Sequence, residues 1–178
     1  MRTLRLSLAG TIMLVLLGGL GVAALAQAEP GYSTDGTWMS LTQEQCVPTT
    51  LLDRTNQANG DYQVRGLGVT CAAPGEDERF GSPMKIVLNE DCFADGGCVN
   101  WGTIAQPGAD GAWSGWFAGT EDPDASTYLT IVMTGSGDYE GLTHIRHATG
   151  PFHGPLDHAG VVFEGAPPPL LAMPEPSE

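Results

Sequence analysis

Ala112-Trp113-Ser114-Gly115-Trp116-Phe117-Ala118-Gly119, followed after the turn Glu121 to Ala125 by Thr127-Tyr128-Leu129-Thr130-Ile131-Val132-Met133-Thr134-Gly135, is the stretch that decides the fold. Its period is two. Leu129, Ile131 and Met133 point one way in the second run, and Trp113, Gly115 and Phe117 share one face of the first. Strict alternation between glycine-rich turns is the mark of a β-strand rather than a helix. Trp116 lies on the opposite face of the first run, so that strand is expected to be covered on both sides.

Working outward, the same grammar recurs. Cys98 to Gln106 precedes the first run and is joined to it by Pro107-Gly108-Ala109-Asp110-Gly111, a set of hairpin-turn residues. Earlier strands are expected at Gly36 to Gln45, at Tyr62 to Cys71 and from Met84 to Leu88, with a polar connection over Val47 to Asp61. In the second of these the apolar phase changes from Tyr62 and Val64 to Leu67, Val69 and Cys71, and Gly66 sits at the change. That predicts a β-bulge or bend. Later strands follow at Leu142 to Ala148 and at Ala159 to Glu164. No segment after residue 30 carries a sustained helical repeat, so the domain reads as all-β. Eight short antiparallel strands point to a small up-and-down barrel, since closure removes unpaired edges. A β-sandwich is the alternative.

The N-terminus reads differently. Arg2 and Arg5 precede an uncharged run, Leu6 to Leu25, which ends in Ala26-Gln27-Ala28 and then Glu29-Pro30-Gly31. These are the basic, apolar and small-x-small segments of a secretory signal peptide, with cleavage expected between Ala28 and Glu29. The expected organisation is a signal helix over 1–28, a β domain over 29–165 and a proline-rich disordered tail over 166–178. Left uncleaved, the apolar run is just long enough to anchor the chain in a bilayer, which is the only membrane contact expected. The localisation is extracellular, or periplasmic if the cell has an outer membrane.

The chain carries 21 acidic and 7 basic residues, a net charge of −14. Cleavage removes Arg2 and Arg5 but no acid, so the exported chain is more negative still. Such a surface repels nucleic acid. It stays soluble and attracts cations or basic partners without naming either, and no protein partner is identifiable. Cys46, Cys71, Cys92 and Cys98 are even in number and lie in the exported chain, so they are expected to be disulfides. The tight loop Phe93-Ala94-Asp95-Gly96-Gly97 favours Cys92–Cys98, which leaves Cys46–Cys71. No C-x-x-C pair supports zinc instead.

Trp101-Gly102-Thr103, the run Gly111 to Thr120, and Gly135-Ser136-Gly137-Asp138-Tyr139-Glu140-Gly141-Leu142 together resemble the pattern of secreted bacterial proteins with an allene-oxide-cyclase-like barrel. In that family a G-x-W-x-G-x-x-x-G strand and a G-S-G-x-Y-x-G-L turn precede the last strands. The match covers Gly97 to Gly165. The resemblance implies an eight-stranded up-and-down barrel of lipocalin-like build. The plant enzymes that name the barrel cyclise an oxylipin epoxide in an apolar cavity, but no motif here carries their catalytic residues.

Trp101, Trp113, Phe117, Leu129, Ile131 and Met133 are the candidate interior residues. All four histidines, His144, His147, His153 and His158, fall within one short span, with Asp157 beside the last. On a hairpin they are the candidate zinc or copper ligands, although positions three apart fall on opposite faces of a regular strand. The acidic loops around Glu76-Asp77-Glu78, Glu90-Asp91 and Glu121-Asp122 lack the D-x-[DN]-x-[DN]-G calcium pattern. Ser114 lacks the G-x-S-x-G frame of a hydrolase nucleophile. No cofactor and no catalytic residue is assigned. The expected function is a secreted ligand-binding or interaction module, its ligand an apolar small molecule, with a cyclase- or isomerase-like barrel enzyme and a histidine metal site as alternatives.

Overall fold

A computed structural model describes residues 36–73, 77–124, 126–151 and 154–168, with the backbone alone over 38–45. The expected signal peptide, its cleavage point at Ala28 and Glu29, His153 and the tail beyond residue 168 lie outside the described residues. The β domain falls within the compact unit Tyr32–Glu178.

The described chain is all-β. Its strands are β1 (Thr37–Pro48), β2 (Asp53–Asn56), β3 (Tyr62–Ala72), β4 (Met84–Cys92), β5 (Cys98–Pro107), β6 (Gly111–Glu121), β7 (Ser126–Gly137), β8 (Leu142–Pro151) and β9 (Leu156–Glu164). They form one sheet in the order β1-β9-β8-β7-β6-β5-β4-β3-β2, every pair antiparallel. A single sheet excludes the sandwich.

Two expectations are corrected. The connection between β1 and β3 is not wholly irregular, because Asp53 to Asn56 pair with β3 as a ninth, fully exposed strand. The sheet also is not closed into a barrel by one continuous ladder. β1 follows β9 from Thr37 to Gln43, its register on β3 shifts between Glu44 and Cys46, and only its last residues reach Val69 to Ala72. A strand that changes partners partway leaves a break where a closed ring would have a ladder.

Local chemistry explains the bends. The β3–β4 register shifts between Val64 and Leu67, and Gly66 takes φ 61°, a left-handed conformation that a side chain disfavours. The bulge keeps both Val64 and Leu67 on one face, which is why the apolar phase of the sequence changes there. Gly102 on β5 answers a second need. A Cβ at that position would collide with the Val87 carbonyl and the Phe117 ring, so the glycine lets Phe117 lie across the sheet.

The core follows the alternation of β5 to β9. Trp113, Phe117, Ile131 and Met133 are buried on one face with Ile104, Ala148 and Val162, and Leu129 packs against them. Trp101 is on the other face. Cys98, Asn100, Gly102 and Ile104 take the inner phase of β5, and the Cys92–Cys98 bridge sets that phase. The Trp101 ring instead lies outside beneath the Arg65 guanidinium, 4.9 Å from its centroid.

One end of the inner face is sealed by aromatic packing. Trp113 stacks between Phe80 at 5.4 Å and Tyr139 at 5.2 Å, and its indole N–H donates to the Arg79 carbonyl at 2.8 Å. The β5–β6 turn is hydrogen-bonded to the loops that supply both rings, Gly81 N to the Pro107 carbonyl at 2.6 Å and Ala109 N to the Glu78 carbonyl at 3.0 Å on the Phe80 side, and Asp138 N to the Asp110 carbonyl at 3.2 Å on the Tyr139 side. The polar atom of the buried indole is thus satisfied, as burial requires.

Candidate ligand cavity

Away from the aromatic seal, the inner side chains leave a cavity of about 730 Å³. That lies within the roughly 300–1,000 Å³ of small-molecule sites. Leu67 and Val69 of β3, Ile86 and Leu88 of β4 and Leu129 of β7 form its walls, and Ile104, Phe117 and Ile131 separate it from the packed core. These residues reach the cavity because each strand alternates, so the apolar set of one phase converges.

Continuing the same phase along β4, β5 and β6 brings polar groups to the same space. Glu90 follows Ile86 and Leu88, Asn100 stands opposite it in the β4–β5 ladder, and Glu121 closes β6 opposite Thr127. All four are buried. Gly119 stands opposite Asn100, where a Cβ would collide with the Tyr128 carbonyl and Leu129. Asn100 Nδ2 donates to Glu121 Oε1 at 2.9 Å, while Asn100 Oδ1 has no hydrogen-bond partner.

The carboxyls are shifted accordingly. Burial pushes Glu121 up to about 7, opposed by the Asn100 hydrogen bond and reinforced by the Glu90 charge. Burial also raises Glu90. Tyr62, near both acids, is raised by burial and by Glu90, with Arg54 over its ring pulling the other way. A carboxyl that ionises near neutrality in an apolar cavity can accept, donate or hold a proton.

The disulfides frame this space. Cys92–Cys98 bridges directly paired positions beside Glu90 and Asn100, and Cys46–Cys71 ties the end of β1 to β3, where both residues line the cavity. This is the expected pairing, and no described cysteine is free. Two disulfides fit an oxidising, extracellular-type compartment. Among the described residues no helix is long and apolar enough to cross a membrane.

The histidines part company. His144 and His158 are buried on the inner face, His147 is exposed with its Nδ1 3.2 Å from Thr130 Oγ1, and Asp157 is exposed on the face opposite His158. Among the described residues no three His, Cys, Asp or Glu side chains converge as metal ligands. His144 packs against Phe80 and Trp113. Between the two buried imidazoles β8 carries Arg146, fully buried, its guanidinium donating to Gln106 Oε1 at 3.0 Å and to the Met84 sulfur at 3.1 Å.

Sequence reading misses Glu90, Asn100, Glu121 and Arg146 as members of an inner site. No family model, no curated protein and no solved structure matches the chain.

Proposed function

We propose that this protein is an exported, barrel-like β-sheet module that binds an apolar small molecule in the cavity walled by Leu67, Ile86, Leu88 and Leu129. The observation that carries this reading is the conjunction in one space of an apolar wall and a small set of buried polar groups, Glu90, Asn100 and Glu121. The pairing of β1 along β9 and, at its end, with β3, fastened by Cys46–Cys71, supports a sheet curled toward, without closing into, the barrel that the glycine motifs suggest by their resemblance to allene-oxide-cyclase-like domains. The disulfides and the leader-like N-terminus support export.

A second reading is favoured by one group. Glu121, pushed up to about 7 in an apolar setting, is suited to proton transfer, so an isomerase- or cyclase-like reaction on the bound molecule is the alternative function.

The test uses the uncharged dye Nile red on protein recovered from culture medium. One saturable site is expected, weakened in Leu129→Trp, which narrows the cavity, with the thermal transition of that variant retained. Absence of dye binding by the wild-type protein would overturn the binding reading. A change in the mass or structure of a turned-over compound, lost in Glu121→Gln, is the mark of the enzyme.

A further inference from the structure

The polar end of the cavity is built almost entirely of acceptors. Glu90 and Glu121 contribute carboxylate oxygens, and Asn100 turns its one donor group, Nδ2, into Glu121 at 2.9 Å. Its Oδ1 is left buried with no partner. An amide oxygen in that state is costly, as a buried acceptor without a donor loses its hydration and gains nothing. With both carboxyls ionised, the hydroxyl of Thr127 is the only other side-chain donor among the described residues that line the cavity. No described lysine or arginine lines it either. Arg65 faces outward to Asp91 and Trp101, and Arg54 covers the Tyr62 ring.

A ligand that completes this end must therefore bring donors and positive charge. A protonated primary amine supplies three N–H donors on one compact cation, which matches the Glu121 carboxylate, the Glu90 carboxylate and Asn100 Oδ1. Its hydrocarbon chain has the leucine and isoleucine wall to occupy. A fatty acid is the wrong partner, since its carboxylate would face two acids and an orphan carbonyl. The chain's net charge of −14 also favours approach of a cation.

We propose that the cavity selects lipophilic primary amines, with the ammonium held between Glu90, Glu121 and Asn100 Oδ1. This rests on the binding function proposed above. The two readings fail separately in one experiment, the displacement of Nile red from the full exported chain by decylamine, decanol and decanoate at neutral pH. Decylamine is expected to compete at least about tenfold more tightly than decanol, the difference that one good charge-assisted hydrogen bond provides, and decanoate more weakly than decanol. In Glu90→Gln/Glu121→Gln the preference for amine over alcohol is expected to disappear, the two competing alike. Equal competition by amine and alcohol, tighter competition by decanoate, or an amine preference that survives the double substitution would each overturn the amine reading and leave the cavity standing. Failure of the wild-type protein to take up the dye or any of the three competitors overturns both. Should the double variant not fold, the ranking of the three chain-matched probes on the wild-type protein still decides.

Discussion

Asn100 and Glu121 meet inside the sheet, Nδ2 to Oε1 at 2.9 Å, from strands whose ladder sets them two positions out of register, Asn100 opposite Gly119 and Glu121 opposite Cys98. Gly119 between them has no side chain, and a Cβ there would collide with the Tyr128 carbonyl and Leu129. The pair costs the fold something, since a carboxyl and an amide are both taken from water and one amide oxygen stays unpaired. Residues retained at such expense point to a use, and recognition of a ligand's polar head is the use that fits their chemistry.

The first consequence is a pH dependence. Glu121 ionises at about 7 in the folded protein against an ordinary value of 4.5, so its folded form prefers the proton. Its contribution is whole below pH 4.5 and is lost as pH rises to 7, a fall of roughly 3 kcal/mol at most. Glu90, raised in the same direction, adds to the slope. Urea unfolding should show the decline as a difference, the stability of the wild type relative to Glu121→Gln falling between pH 4.5 and 7.

Much of this site is legible in the alternation, provided the strands are followed to their ends. Met84, Ile86 and Leu88 set the inner phase of β4, and Glu90 continues it by two residues. Trp113, Gly115 and Phe117 do the same for Gly119 and Glu121. Both glutamates read as loop acids facing solvent, because a charged residue ordinarily ends a strand. The strands run past them. Trp101 reads as interior for its size, whereas the Cys92–Cys98 bridge gives that side of β5 to Asn100 and Gly102. The break between β1 and β3, and the small strand β2, have no signal in period or turn residues, because each depends on which distant edge is free.

Arg146 should be more useful to remove than to keep. It is fully buried, burial pushes it down to about 9, and its described hydrogen bonds go to an amide oxygen and a thioether rather than to a carboxylate. Replacing such a charge by a side chain of similar length relieves its desolvation, at the cost of the Gln106 partner. Arg146→Met is expected to raise the unfolding free energy by about 1 kcal/mol net, read as a higher urea midpoint with unchanged m. A loss of stability would mean that the charge is neutralised by a group it meets in solution.

The two disulfides should differ in their effect on both stability and binding. Cys46 and Cys71 are separated by 25 positions and Cys92 and Cys98 by 6, so chain entropy assigns about 3.5 and about 2.4 kcal/mol to them. Cys46→Ala/Cys71→Ala also frees the short β1–β3 pairing, which covers the cavity wall. Denaturant melts should rank the two double variants in that order. Nile red affinity should fall more in the first.

The sealed end offers a packing test. Trp113 is buried between Phe80 and Tyr139, and Trp113→Ala removes the ring on which both stack as well as the donor to the Arg79 carbonyl. A loss of about 3–5 kcal/mol is expected, in the range of other buried aromatic truncations. Trp113→Phe should recover most of it, since one ring remains and the lost indole hydrogen bond is a single interaction.

Acid should unfold the protein through His144 and His158. Burial, helped by the Arg146 charge, pushes them down to about 2 and about 3, so the folded protein holds them neutral while the unfolded chain protonates them near 6.5. Stability from these groups is therefore present above 6.5 and is lost as pH falls toward 3, at about 1.4 kcal/mol per pH unit for each. Between 4.5 and 6.5 Glu121 opposes the two histidines and cancels about one of them, so stability still rises with pH there but less steeply than the histidines alone would make it. Below 4.5 only the histidines act among these groups, and the fall steepens. His158→Asn should shift the acid midpoint downward while sparing the alkaline side, and Glu121→Gln should do the reverse. Matching shifts from both variants would show that the two ends of the inner face do not titrate independently.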